Sequence, residues 1–189
     1  MRSAVARKHP RIDLAAGLEL RAWRQDDAAA FLLAQRDPLV ARYAGFLLAD
    51  RADALQTVQR YAASWTDGDG VAWAVSTRSG ELLGSLRFAL HDSGLGFGSV
   101  GYWLSPQARG RGTATAALRA GSRFVLERLG WHRIELSHAV ENERSCAVAR
   151  RAGYRPEGVL RDGMRYPVDE RWSDEHLHAR LATDPDPER

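Results

Sequence analysis

The sequence predicts a mixed α/β (α+β) fold, with one sheet in one domain, from three observations. A chain of 189 residues is the length of a single ordinary domain, and folding at that size removes roughly 70% of the unfolded surface from water. Hydrophobic residues make up 44% and charged residues 27%, which is a globular composition. Segments with period-two alternation are interleaved with segments of helical spacing along most of the chain. No repeat or low-complexity block interrupts them.

Residues 1–17 read as a loosely patterned leader, basic but without the apolar stretch of a secretory signal. The run from Leu18 to Trp23 alternates apolar and polar, as a half-buried strand does. Asp26 and Asp27 then supply the negative charge a helix N-terminus favours, and AAAFLLAQ follows until Pro38 breaks it. A short helical piece runs to about Tyr43. Asp50 to Trp65 is another helix, with Leu55, Val58, Ala62 and Trp65 on one stripe and DGDG as its stop. Residues 71–77 and 81–90 flank the turn Arg78-Ser79-Gly80, a hairpin signature. Gly94, Gly96 and Gly98 make a loose connection into the strand SVGYWLS. After QARGRG a long helix, striped by Ala114, Ala117, Leu118, Gly121, Val125 and Leu129, ends at Gly130. A strand over 132–140, a helix from Asn142 to Ala152 and strands near 157–163 and 174–181 complete the domain. The segment 183–189 is polar, proline-broken and expected to be a disordered tail.

Composition also excludes several classes. The longest apolar run, Ala28 to Ala34, has seven residues against the ~20 that span a bilayer. Cys146 is the only cysteine, so a disulfide framework and a cysteine-based zinc cage are excluded and a reducing, cytoplasmic setting is expected. Net charge is +3, from 27 basic and 24 acidic residues, and Lys8 is the sole lysine. So even a balance predicts neither nucleic acid nor membrane as a main partner.

The chemistry is concentrated between Val100 and Thr115. A strand exits at Pro106 into a glycine-rich loop, and the loop opens a helix. Gly110 and Gly112 can take positive φ and present successive N–H groups. Those donors and the helix dipole make an anion site, to which Arg109 and Arg111 add positive charge. A diphosphate suits it. The spacing is neither GxxxxGK[ST] nor GxGxxG; the competing reading is a solvated turn or an RNA-touching patch.

Gln107-Ala-Arg-Gly-Arg-Gly112 resembles the Q/R-x-x-G-x-G/A signature of the GNAT N-acetyltransferase superfamily. Asn142-Glu-Arg-Ser145, followed by Arg151-Ala-Gly-Tyr154, is similar to the N-x-x-S…(K/R)-x-G-(F/Y) pattern of its RimJ/RimL branch, which acetylates N-terminal amines of ribosomal and other proteins. The likeness runs from about 18 to 182, the expected domain. It implies a mixed, mostly antiparallel sheet of six to seven strands with about four helices, splayed between the fourth and fifth strands (SVGYWLS and HRIELSHAV). It implies acetyl-CoA as acetyl donor and no metal.

Carried over residue by residue, the resemblance has Trp103, Leu104 and Ser105 pairing with the pantetheine arm as an added strand would. Arg109, Gly110, Arg111, Gly112, Thr113, Ala114 and Thr115 would cradle the pyrophosphate. Asn142 would hydrogen-bond the pantetheine, and Ser145 would protonate the departing thiolate. Taken alone, Asn142 reads as a helix N-cap and Ser145 as a first-turn polar residue. The branch places a general-base glutamate nineteen residues after the serine, and Met164 stands there. Glu157, His138 and Glu135 are the nearby alternatives. Cys146 reads as buried filler, and His176 with His178 lacks a third metal ligand.

A strong base is needed less for some acceptors than for others. An α-amine of pKa 7.7–8.0 is roughly a fifth to a third neutral at pH 7.4, whereas a lysine near 10.4 is about one part in a thousand neutral. The expected acceptor is therefore a protein N-terminus attacked in a ternary complex. A small amine (metabolite or antibiotic) is the alternative, and a catalytically weak acetyl-CoA-binding module or an arginine-driven nucleic-acid binder are rivals from other classes. A homodimer is expected by analogy only.

Overall fold

The computed structural model describes residues 8–168 and 170–187. Eight strands form one sheet: β1 (Ile12–Asp13), β2 (Leu18–Arg21), β3 (Gly70–Thr77), β4 (Leu82–Asp92), β5 (Phe97–Leu104), β6 (Arg133–Ala139), β7 (Arg155–Arg165) and β8 (Trp172–Leu181). Their order is β1-β2-β3-β4-β5-β6-β8-β7. Five helices accompany them among the described residues: α1 (Asp27–Ala34), α2 (Pro38–Tyr43), α3 (Arg51–Asp67), α4 (Thr113–Arg128) and α5 (Glu143–Arg151). The sheet thus has one strand, and the molecule one helix, beyond the upper expectation.

Every pairing is antiparallel except β5 with β6, and that parallel seam holds only three residue pairs, from Phe97–Arg133 to Ser99–Glu135. Beyond them β5 runs on to Leu104 along β4 and β6 runs on to Ala139 along β8. The sheet therefore opens into a cleft at the expected place.

Strand β3 reads as a near-continuous apolar run because both of its faces are covered. Val71, Trp73 and Val75 pack with Leu86, Phe88 and the α4 residues Ala117, Leu118 and Val125. Ala72 and Ala74 meet Phe31, Ala54 and Val58 from α1 and α3 on the other face. Gly121 explains how closely α4 approaches, since a Cβ there would stand 2.6 Å from Leu86 Cδ2.

Helix α1 is tied down by a fully buried fork. Arg21 donates to both oxygens of Asp27 at 2.8 Å, and the Arg24 N–H donates to the same carboxylate. The leader joins the domain: Trp73 Nε1 donates to Pro10 O at 2.8 Å, and Ile12 pairs with Leu20. The expected frayed end is anchored through Pro187. Arg180 and Arg123 both donate to Asp186 at 2.5 Å, and a Cβ on Gly153 would touch Pro187. Residues 1–7, 188 and 189 of these two segments lie outside the described residues. No helix among the described residues is long and apolar enough to cross a membrane.

Candidate active site

The opening of the β5–β6 seam makes a cleft of about 1290 Å³, floored by the sheet and walled by α2, the 106–113 loop, and α5. One wall is the glycine loop. Gly112 sits at φ 76° as the N-cap of α4 and offers no side-chain cap, so the amides of the first turn of a sixteen-residue helix are left for a ligand. Gly110, at φ 72°, likewise has nothing within 4 Å of where a Cβ would be. Thr113, Ala114 and Thr115 line the cleft with them. Backbone donors at an uncapped helix N-terminus favour an anion.

The two loop arginines differ from the sequence reading. Arg109 lines the cleft, but its guanidinium is already bound within the protein. Its guanidinium donates to both Asp37 oxygens at 3.1 and 2.5 Å and to Leu104 O at 3.0 and 2.7 Å. Asp37 is also the N-cap of α2, accepting from the Leu39 and Val40 amides, and the Arg109 hydrogen bond holds its carboxyl below the ordinary value. Arg109 therefore fastens the loop to α2. Arg111 is exposed and outside the cleft lining.

Trp103 and Leu104 line the cleft; the Trp103 ring stacks on Phe31 at 5.5 Å. Ser105 is turned to β4, where its N–H and its hydroxyl both donate to Leu83 O. Asn142 lines the cleft while its Oδ1 accepts from Ser145 N at 3.2 Å, the N-cap arrangement. Ser145 is buried, and its Oγ stands 2.9 Å from Tyr102 OH. Burial pushes that phenol up to about 12, with the serine hydrogen bond working the other way. Tyr102 was not singled out from sequence; its place two residues after Val100 on a strand bordering the seam was the available signal.

Of the base candidates, Glu157 lies away from the cleft in an ion pair with Arg133, whose hydrogen bond lowers its carboxyl. Glu135 lines the cleft at the seam and accepts from Arg133 at 2.8 and 3.0 Å. His138 lines it too; burial lowers its imidazole, and its Nδ1–H donates to Ala139 O.

A further acid, Glu175 on β8, carries no motif in the sequence. It is 5% exposed, lines the cleft and accepts from Tyr166 OH at 2.6 Å. The same phenol oxygen accepts from the Ala139 N–H, and burial, then Glu175, push Tyr166 up. The register brings Glu175 beside the vacant base position: a Cβ on Gly163 would stand 3.1 Å from Glu175 Cγ, and Met164 is its neighbour.

A sheet parted along one parallel seam, with an uncapped helix N-terminus on one lip and a buried hydroxyl pair on the other, defines an acyl-transferring class of α/β protein. The family model described as "Acetyltransferase (GNAT) domain" matches residues 17–155. The chain belongs to that acetyltransferase family. YdaF of Bacillus subtilis (strain 168), provisionally named a ribosomal N-acetyltransferase, is 35% identical over 85 residues, 45% of this chain and 46% of that protein. The match therefore spans about half the length of that relative. The Mycobacterium smegmatis RimJ structure, in complex with CoA-disulfide, superposes at TM-score 0.80 with 27% identity over 96% of this chain and 90% of that one. RimL, a ribosomal L7/L12 alpha-N-protein acetyltransferase in complex with coenzyme A, gives TM-score 0.82 over 91% and 98%, a likeness of fold at 22% identity.

Proposed function

We propose that the protein transfers acetyl from acetyl-CoA to a primary amine, with a protein or peptide N-terminal α-amine as acceptor. The observation that carries the reading is the pairing, across one cleft, of the uncapped α4 N-terminus with the Ser145–Tyr102 hydroxyl pair. The donor residues fit coenzyme A. The amides from Gly110 to Thr115 would hold its pyrophosphate, the free edge of β5 would take the pantetheine amides, and the Asn142 amide nitrogen would bond the same arm. When bound, acetyl-CoA supplies an activated acyl carbon and a thiolate leaving group.

The neutral amine attacks that carbon, the C–S bond breaks, and the thiolate takes a proton from Ser145, replenished from Tyr102. With its phenol at about 12, Tyr102 stays protonated at neutral pH and serves as the proton reserve. The amine proton passes to Glu175, directly or through Tyr166. Among the described residues no activated nucleophile lines the cleft to support a covalent route. An open cleft lined by both charge signs, Glu135, Glu141 and Glu175 with Arg87 and Arg144, supports a chain end over a small polycation.

Two measurements test the reading. Acetyl-CoA at about 100 times its dissociation constant should stabilise the fold by about 2.7 kcal/mol, roughly 5–11 °C for this size, with ATP giving less. Matched peptides carrying one free α-amine or one free ε-amine should then show faster acetylation of the α-amine. An equal shift with ATP would refute the donor site, and a clear lysine preference would refute the acceptor.

A further inference from the structure

Beneath the first turn of α5, on the sheet face opposite Glu175, groups with metal-binding atoms converge from three elements. His138 comes from β6, His176 and His178 from β8, and Cys146 from α5. Register gathers the imidazoles: His138 stands opposite His176 and Leu136 opposite His178, so all three rings project from one face. The ligand atoms of His138, Cys146 and His176 all lie within 4.8 Å of one another. His178 adds a fourth candidate. Its ring stacks on His138 at 5.2 Å, and the two Nε2 atoms are 3.2 Å apart. That separation is close to the edge of about 3.3 Å of a tetrahedron with Zn–N near 2.0–2.1 Å.

The hydrogen bonding is that of a ligand set. The His138 Nδ1–H donates to Ala139 O at 2.9 Å, which leaves Nε2 as the lone-pair nitrogen of a neutral ring and fixes its direction. His176 Nδ1 is buried with no hydrogen-bond partner among the described residues, while His178, 1% exposed, is held by the Tyr154 backbone and turns Nε2 towards His138. Unpaired buried polar atoms are uncommon in a folded chain. One of them in a group of imidazoles beside a thiol calls for an occupant.

We propose that His138, His176 and Cys146 bind a thiophilic divalent cation, Zn²⁺ by the chemistry of the donors, with His178 nearest the fourth position. Nitrogen and sulfur donors suit zinc, whereas magnesium and calcium take oxygen. On binding, the Cys146 S–H proton leaves to solvent, the thiolate and the neutral imidazoles donate lone pairs, and no oxidation state changes. The side chains close from their 4.8 Å spread by rotation about χ1 and χ2. Because Cys146 follows Ser145, a bound cation ties the turn carrying Ser145 to β6 and β8.

The test uses the untagged full chain, reduced and chelator-treated, with Co²⁺ as the probe. The expected result is one Co²⁺ per chain, with tetrahedral visible bands and a thiolate-to-cobalt band in the near ultraviolet, all bleached by Zn²⁺. Zn²⁺ should also protect Cys146, the only thiol, from iodoacetamide. Cys146→Ser removes the near-ultraviolet band, His176→Asn weakens binding at least about tenfold, and His132→Asn, at an exposed histidine outside the cluster, changes neither. Prior alkylation of Cys146 gives the same loss without a substitution, should a variant fail to fold. Weak octahedral absorption, unprotected alkylation, or variants binding as the parent does would overturn the site.

Discussion

The two walls of the cleft are built on opposite principles. The proposed donor wall is contiguous: Gly110 to Thr115 come from one loop and one helix turn, and its donors are backbone amides. The proposed acceptor wall is assembled from distant segments: Tyr43 on α2, Tyr166 after β7 and Glu175 on β8 meet through side chains, with Tyr43 edge-on to Tyr166 at 6.0 Å. A backbone site depends on conformation and tolerates change in most side chains. A side-chain site depends on register and is lost with one atom.

The largest effect that separates the walls should come from Glu175→Gln. Removing the proton acceptor should lower kcat by about 10²–10⁴-fold while leaving the acetyl-CoA thermal shift unchanged; a retained kcat would remove Glu175 from the mechanism. Next, Ser145→Ala should cost about 10²-fold in kcat. On the proposed relay, in which Tyr102 acts through Ser145, the double variant with Tyr102→Phe should cost little more than Ser145→Ala alone, and additive losses would show separate roles.

A smaller effect is expected on the donor wall from Gly112→Val. A branched residue at φ 76° is strained by about 1–2 kcal/mol, which should raise the KM for acetyl-CoA about tenfold with kcat nearly kept. The smallest is a pH effect at the hinge between the walls. Arg109 depresses the Asp37 carboxyl, so its stabilisation is present above the ordinary carboxylate range and is lost as pH falls through the depressed value. In Asp37→Asn the acid limb of the melting-temperature profile should flatten, with a loss near neutral pH of up to about 1 kcal/mol for this partly exposed pair; an unchanged limb would count against the pair.

The same contrast governs what could be read from residues alone. The order of strands and helices follows from periodicity, and the seam and donor loop follow from the resemblance, because both are written in consecutive residues. Arg109 reads as a phosphate ligand only while its neighbours in space are unknown. Asp37, far away in sequence, claims its guanidinium. Glu175 was invisible because its neighbours are set by register: β7 slips along β8 between Pro156 and Gly158 so that Leu160 pairs with Glu175, and the irregularity between Leu160 and Met164 brings Gly163 up against the same side chain. No pattern within either strand encodes that slip. The two-residue strand β1 escaped for another reason, since Ile12–Asp13 is too short to show a period.

The Arg109–Asp37 fork has a consequence for how the two substrates bind. Arg109 belongs to the donor loop, whereas Asp37 caps the short helix whose last residue, Tyr43, leans on Tyr166. A ligand that shifts either partner shifts the preference of the other, and such coupling is reciprocal in binding free energy. Occupation of the loop therefore bears on how readily the far side accepts its amine, so each substrate should change the dissociation constant of the other by one common factor. With Arg109→Ala that factor should move towards one.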